Sequence, residues 1–470
     1  MDLTLKSYIE WVESGKLDPK TVADSYLKKA KELNSNNAFL RFHEDYVAKN
    51  LQDFSKKPLH GAPIWIKDII LTKWYITSCA SKILEDFVSP YSATCFEKLE
   101  SQWWLMIGKT NMDEFAMWGS TENSAFGISY NPYGTNRVPG GSSGGSAVAV
   151  ASDMCIAALG TDTGWSVRQP ASFCGIVGIK PTYGRVSRYW VQSMASSLDQ
   201  VWVMTKTVED AQILLSAISR YDPRDAQSSP KADEPIDFSE EKNIKKFKIA
   251  VPKEVFAEGL NPKVKTLFLE TIEKIRATGI TIEDVDMPIL GYSVPMYYTI
   301  MPAEVSTNLA RFDGIKFGLQ EDMTNFDSLV SYYEKVRSEW FGDEVKRRIL
   351  LGTFVLSSAN YEGFYLKAQK ARDQLKQDFD EVFKKYDLIL TPTAPDVAWK
   401  TWAKSKDPLA MYLEDLYTIP ANMWWLPAMS VTAGKIEDQW EMMPVGIQLI
   451  WNKWQENKIL ALGKLIEWLK

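Results

Sequence analysis

Histidine is nearly missing: His43 and His60 are the only two in 470 residues. That excludes a histidine-based metal cluster. A Ser-His-Asp triad would have just two candidate bases, so a hydrolase built on this chain is expected to use another group. Cysteine is scarce as well. Cys79, Cys95, Cys155 and Cys174 form no C-x-x-C pair, which argues against a disulfide framework and a thiolate zinc site. There is no long apolar run. The stretch 147–160 is broken by Ser152 and Asp153 and is too short to span a bilayer. The first residues lack the basic-then-apolar order of a secretory signal. Reduced thiols and no export signal give a cytoplasmic expectation, away from any membrane. Positive charge is not in excess: 54 Lys and Arg face 60 Asp and Glu, a formal net of −6. The chain is therefore not expected to bind nucleic acid by itself. Glycine is low, at 26 residues against the roughly 7% of an average protein. Tryptophan is high, at 18.

What is present describes an ordinary globular chain. At 45% hydrophobic and 24% charged it has ample material for a core. Its length corresponds to about three domains at roughly 150 residues each, a soft figure for large α/β enzymes. Residues 1–60 read as a helical segment packing on the core, with Leu5, Ile9 and Val12, then Val22, Tyr26, Ala30 and Leu33, at helical spacing. From 61 to about 215 short apolar strands alternate with Gly-rich loops and helices. Candidates are strands at 104–107 and 155–159, a helix entered at 143–146, and a helix at 207–218 opened by Thr207 with Asp210 three positions on. Pro223, Pro230 and Pro235 among many charges make 220–245 a long surface loop or linker. Beyond it the pattern predicts strands at 247–251, 280–285, 387–390, 429–432 and 445–450. Helices are predicted at 262–277, 326–350, 360–385 and from about 455. This alternation predicts an α/β fold with a central mixed sheet covered by helices on both faces, 61–470 forming one domain.

Two loops carry the chemistry. One is Pro139-Gly140-Gly141-Ser142-Ser143-Gly144-Gly145-Ser146; the other runs Gly160-Thr161-Asp162-Thr163-Gly164-Trp165-Ser166-Val167-Arg168-Gln169-Pro170. Glycines let backbone N–H groups converge on an anion, and such nests favour positive φ. A Gly/Ser run alone reads equally as a flexible loop, a phosphate cradle or an oxyanion hole beside a serine nucleophile. No G-x-x-x-x-G-K-[ST] supports the phosphate reading. A serine nucleophile needs a base, and lysine serves if burial lowers its pKa from about 10.4. Lys67 ends the apolar run Pro63-Ile64-Trp65-Ile66-Lys67-Asp68. It is either that base or a strand-end lysine reaching to water.

Taken together, Pro63–Asp68, the Gly-Gly-Ser-Ser-Gly-Gly-Ser loop and the Gly-Thr-Asp-Thr-Gly-x-Ser-x-Arg-Gln-Pro-Ala loop resemble the amidase signature family. The order and the 24-residue step from Ser142 to Ser166 match it. The resemblance implies a Ser–cis-Ser–Lys triad with Ser166 as nucleophile, Ser142 as bridging serine and Lys67 as base. Backbone N–H groups of Thr163, Gly164 and Trp165, with Ser166, would form the oxyanion hole. The segments 108–117, 180–189 and 308–314 resemble, within that family, the A subunits of glutamyl-tRNA(Gln) amidotransferases. That implies a glutaminase without a cofactor or metal of its own, in a heterotrimer with B and C subunits. Glutamine would be hydrolysed here and its ammonia passed to the B subunit, where ATP and Mg2+ serve the amidation of Glu-tRNA(Gln). The same resemblance gives Arg347 for the glutamine α-carboxylate, Asp415 for its α-ammonium and Tyr298 as pocket wall; Arg348 or Asp343 are alternatives to Arg347. A stand-alone small-amide amidase and an inactive scaffold are the competing functions.

The departures from the family pattern are systematic. Where the family has Gly or Gly/Ala, the chain has Trp65, Trp74, Trp103, Trp104, Trp118, Trp165, Trp190, Trp202, Trp340, Trp402, Trp424, Trp425, Trp440 and Trp451, 14 of its 18 tryptophans. Each buried Gly→Trp change costs about 1–3 kcal/mol or more through overpacking. Fourteen would exceed a typical stability of about 5–15 kcal/mol. The expectation is that these codons are UGA, read as glycine in the cell and written as tryptophan. The alternative is a real Trp-rich, sugar-binding surface.

Overall fold

The computed structural model describes residues 3–50, 59–257, 259–404 and 407–470. Eleven strands form one mixed sheet: β1 (Phe39–Phe42), β2 (Pro63–Lys67), β3 (Leu105–Thr110), β4 (Ala157–Asp162), β5 (Val177–Lys180), β6 (Gln200–Thr205), β7 (Lys248–Pro252), β8 (Thr281–Val285), β9 (Leu388–Pro392), β10 (Ala428–Asp438) and β11 (Glu441–Trp451). Their order is β1-β3-β2-β4-β6-β5-β10-β11-β9-β7-β8. β2 runs parallel to β3 and β4, and β7 parallel to β8 and β9; the remaining pairs are antiparallel. Every residue of β2, β3, β4, β5, β6 and β9 is buried. Since successive side chains point to opposite faces, both faces of the sheet are covered.

This topology builds the site. β2 and β4 lie side by side in parallel, Ile64 against Ala157 and Ile66 against Leu159, so Lys67 and Asp162 end on the same sheet edge. The helix Gly144–Ala151 precedes β4 and runs back along it, which returns its first turn and the Ser142–Ser143 loop to that edge. Ser146 pins this helix to the sheet through Leu159 O at 3.0 Å and Thr110 Oγ1 at 2.7 Å. Gly145 is needed there, because an added Cβ would lie 2.5 Å from the carbonyl oxygens of Ala38 and Asn111.

Most expected elements occur near their expected places, with several differences. The helix expected over 326–350 is two, Leu329–Trp340 and Asp343–Leu356, broken at the extended Phe341 and Gly342. The N-terminal segment is not wholly helical: Phe39–Phe42 pairs antiparallel with β3 and extends the sheet, and residues 1–2 and 51–58 of it lie outside the described residues. β5 and β6 are additional to the expected strands, because their flanking loops hide two short segments. The helix Ser293–Asn308 is additional too: it contains Pro295 and Pro302, and its apolar residues form no single face. The stretch 220–245 holds two short 3-10 turns, Pro230–Asp233 and Glu241–Lys246.

The backbone at the tryptophans is distinctive. Trp440 occupies the second position of the two-residue turn joining β10 to β11, with φ 48° at Gln439 and 67° at Trp440. Left-handed values at both positions define the hairpin turn that calls for Asn-Gly. Trp103 follows the helix Thr94–Ser101 at φ 63°, donating to Glu100 O, while Trp104 donates to Leu99 O. Trp425 follows the helix Ile419–Met423 at φ 62°, donating to Asn422 O, while Leu426 donates to Ala421 O. Both are Schellman endings with tryptophan in the glycine position.

Candidate active site

Lys67 is fully buried at the end of β2. Its Nζ donates to Ser142 Oγ at 2.7 Å, Ser143 Oγ at 2.8 Å and Thr161 O at 3.2 Å. The Gly141–Ser142 peptide is cis. Burial lowers the Lys67 pKa to about 7; the nearby carboxylates of Asp113, Asp162 and Asp199 act in the opposite direction without offsetting it. A lysine so placed exists in both protonation states near neutrality, as a general base requires. The alternative of a strand-end lysine reaching to water does not hold.

Ser166 lies on the second loop, which follows β4. The Ser143 N–H donates to Ser166 O at 3.2 Å, and the Gly141 N–H to Gln169 Oε1 at 3.1 Å, joining the two serine loops. Asp162 organises the second loop: its carboxylate accepts from the Val167 N–H at 3.0 Å, Asn422 Nδ2 at 2.8 Å and Arg168 Nη2 at 3.4 Å. Arg168 Nη2 also holds Gly164 O at 2.8 Å. With that carbonyl tied back, the N–H groups of Thr163, Gly164, Trp165 and Ser166 meet no acceptor among the described residues. They are the free donors an oxyanion hole needs. The Thr163 hydroxyl donates to Asp199 Oδ1 at 2.7 Å. One expectation fails here: none of residues 163–166 has positive φ. The Asp162–Arg168 clamp shapes the loop instead, and Gly164 is needed for space, since a Cβ would lie 3.0 Å from the Tyr297 ring.

Next to Ser166 the Trp165 ring is 2% exposed and packs against Tyr297 at 5.4 Å and Tyr298 at 6.2 Å between centroids. Tyr298 stacks on Tyr412 at 3.6 Å and donates its hydroxyl to Asp415 Oδ2 at 3.1 Å. The Arg348 guanidinium lies 5.5 Å from the Tyr298 centroid. The structure thus places Arg348, the alternative to Arg347, beside that ring. The Arg347 side chain is 44% exposed and pairs with the buried Glu344, whereas Arg348 is itself buried and fixed through Nε to Glu344 Oε1 at 2.6 Å. Consecutive helical residues do not share a face, so only one of the pair reaches Tyr298. Asp343 is 91% exposed and bonded to Lys346.

Four buried polar atoms around this cluster have no hydrogen-bond partner: Trp165 Nε1, Gln169 Nε2, Arg348 Nη2 and Asp415 Oδ1. Buried polar groups are normally paired. An unpaired guanidinium nitrogen and an unpaired carboxylate oxygen on either side of one tyrosine fit a ligand with a carboxylate and an ammonium. Burial pushes the Asp415 carboxyl well above the usual range. An incoming cation would restore its charge. Sequence reasoning did not find Ser143, Gln169, Tyr297 or Tyr412. Ser143 and Gln169 stand inside the quoted loops, but their contacts depend on how two distant loops meet.

Known proteins are similar to this chain. The family model described as Amidase matches residues 21–460. The chain is 44% identical to the A subunit of glutamyl-tRNA(Gln) amidotransferase from Persephonella marina, over 99% of this chain and 97% of that one. It is 46% identical to the protein of the same name from Methylacidiphilum infernorum, over 99% and 94%. Among solved structures, the corresponding A subunit from Thermotoga maritima superposes with a TM-score of 0.82 at 40% identity, covering 99% of this chain and 94% of that one.

Proposed function

The chain belongs to the amidase family, and from that premise we propose that it is the glutaminase subunit of a glutamyl-tRNA(Gln) amidotransferase. The observation carrying the amidase chemistry is the buried Lys67–Ser142 hydrogen bond at 2.7 Å beside the free N–H groups of the Ser166 loop. Neutral Lys67 takes the Ser142 hydroxyl proton, Ser142 takes the proton of Ser166, and Ser166 Oγ attacks the side-chain amide carbon of glutamine. The N–H groups of Thr163 to Ser166 stabilise the oxyanion. The proton returns to the leaving nitrogen, ammonia departs, and water hydrolyses the glutamyl ester. Asp415 receives the α-ammonium and Arg348 the α-carboxylate, while Tyr298 separates them.

The names of its relatives support a complex with other subunits. In our reading these are the B and C subunits of a heterotrimer, with ATP and Mg2+ acting in the B subunit on Glu-tRNA(Gln). No cofactor is assigned to this chain. Among the described residues no helix is long and apolar enough to cross a membrane, and we place the reaction in the cytoplasm with its tRNA.

Arg348→Ala should raise the KM for glutamine about 10–150-fold, the loss of a charged hydrogen bond worth about 1.5–3 kcal/mol. Arg347→Ala should change it little. Steady-state glutaminase assays of both variants check this. A larger KM effect at Arg347 would return the anchor to that residue.

A further inference from the structure

We infer that position 165 is glycine in the functional protein, together with the other 13 tryptophans at family glycine positions, and that the space now filled by the Trp165 indole is where the substrate's side-chain amide binds. The second half rests on the glutaminase reading; the first does not.

Three marks fall on ten of these 14 positions and on none of Trp65, Trp340, Trp424 and Trp451. Seven of them, Trp74, Trp103, Trp118, Trp190, Trp402, Trp425 and Trp440, have φ between 59° and 141°. All other non-glycine residues together supply 11 further cases, most of them Asn, Asp, Ala or other small or polar types. A bulky residue at positive φ is a genuine outlier. The two Schellman endings and the hairpin turn show why these positions are left-handed: the hydrogen bonds of the turn demand it, whatever the side chain. Trp440 is 94% exposed, so no packing of its ring explains its presence there. Trp104, Trp165 and Trp202 carry the second mark. All three are buried with an unpaired indole N–H, although a buried tryptophan normally finds an acceptor; Trp399, outside the set, shares this mark.

Position 165 carries the third. Its indole lies against Tyr297 and Tyr298, and its Nε1 crowds Gly119, where a Cβ would lie 2.9 Å away. Gln169 Nε2, Arg348 Nη2 and Asp415 Oδ1 are unpaired. Replacing the indole by hydrogen frees the room beside Tyr298, whose ring Arg348 overlies and whose hydroxyl donates to Asp415. Trp454 also has positive φ, 64°, with Arg185 over its ring at 5.2 Å and its backbone N–H donating to Thr182 Oγ1 at 2.8 Å. It does not stand at a family glycine position, and neither do Trp11, Trp399 and Trp468.

A codon read as tryptophan by one table and glycine by the cell produces this distribution. The gene should carry UGA at the 14 positions and UGG at Trp11, Trp399, Trp454 and Trp468. Peptide mass spectrometry of the chain purified from the cells that carry the gene should read Gly-Gly-Ser at 164–166. Tryptophan in that peptide, or UGG at position 165, would overturn the assignment. For the pocket, protein with glycine at all 14 positions should bind glutamine, and restoring Trp165 alone should weaken glutamine turnover at least 100-fold. Glycine read at 165 with equal turnover in both proteins would overturn the pocket and leave the residue assignment standing. Glycine at 165 with no glutaminase activity in either would overturn the glutaminase reading, and the pocket with it.

Discussion

Ser166→Ala abolishes glutamine-dependent amidation while amidation driven by free ammonia continues at close to the unsubstituted rate. The hydroxyl is the only part of Ser166 that the change removes. Its backbone carbonyl still accepts from the Ser143 N–H, and its N–H remains among the free donors of the loop. The fold has no stake in the hydroxyl, which forms no hydrogen bond with any described residue. Loss of a nucleophile in a serine triad lowers turnover by roughly 10⁴–10⁶-fold. Ammonia enters after this step, so the second half-reaction in the partner protein is spared. The measurement is product formation by the reconstituted complex with glutamine and with ammonium chloride as alternative donors. Loss of both activities would give Ser166 a structural role.

Lys67→Ala has the second largest effect, and its pH dependence carries more information than its size. General-base catalysis contributes about 10²–10⁴-fold, and that factor should disappear while the chain still folds. Removing the side chain releases Ser142, Ser143 and Thr161 from one shared donor and removes a buried amine whose desolvation already opposes its charge. The active form is the neutral amine. Since burial brings the Lys67 pKa down to about 7, kcat/KM should rise with pH through that value and level off above it. Lys67→Arg should be as inactive as Lys67→Ala at every pH, because a guanidinium does not deprotonate in this range. A rate independent of pH between about 6 and 9, the range that brackets a base so shifted, would assign the base elsewhere in the unsubstituted enzyme.

The parts of this site that the sequence exposes are those carried by continuous motifs. Lys67, Ser142 and Ser166 sit in short runs whose residue types need one another, and the parallel pairing of β2 with β4 brings their ends together. The substrate anchors were less legible. Arg347 and Arg348 are neighbours of the same type on one helix, and a string of letters does not say which faces Tyr298. The helix phase decides it, with Glu344 bonded to both. The Ser293–Asn308 helix, which supplies Tyr297 and Tyr298, carried no periodic face to reveal it. The left-handed tryptophans show the reverse relation. Their identity conflicts with the backbone, and the backbone is set by turns and helix ends that the surrounding sequence specifies well.

One measurement reaches the central claim directly. The chain, as its own cells translate it, is mixed with glutamine, quenched in acid during steady turnover and digested for peptide mass spectrometry. The account predicts a glutamyl ester on the peptide spanning residues 163–168, located on Ser166 by fragmentation and absent from the Ser166→Ala protein. A glutamyl group on Ser142 or Ser143 instead, or turnover with no covalent glutamyl protein at any time, would contradict the Lys67–Ser142–Ser166 assignment.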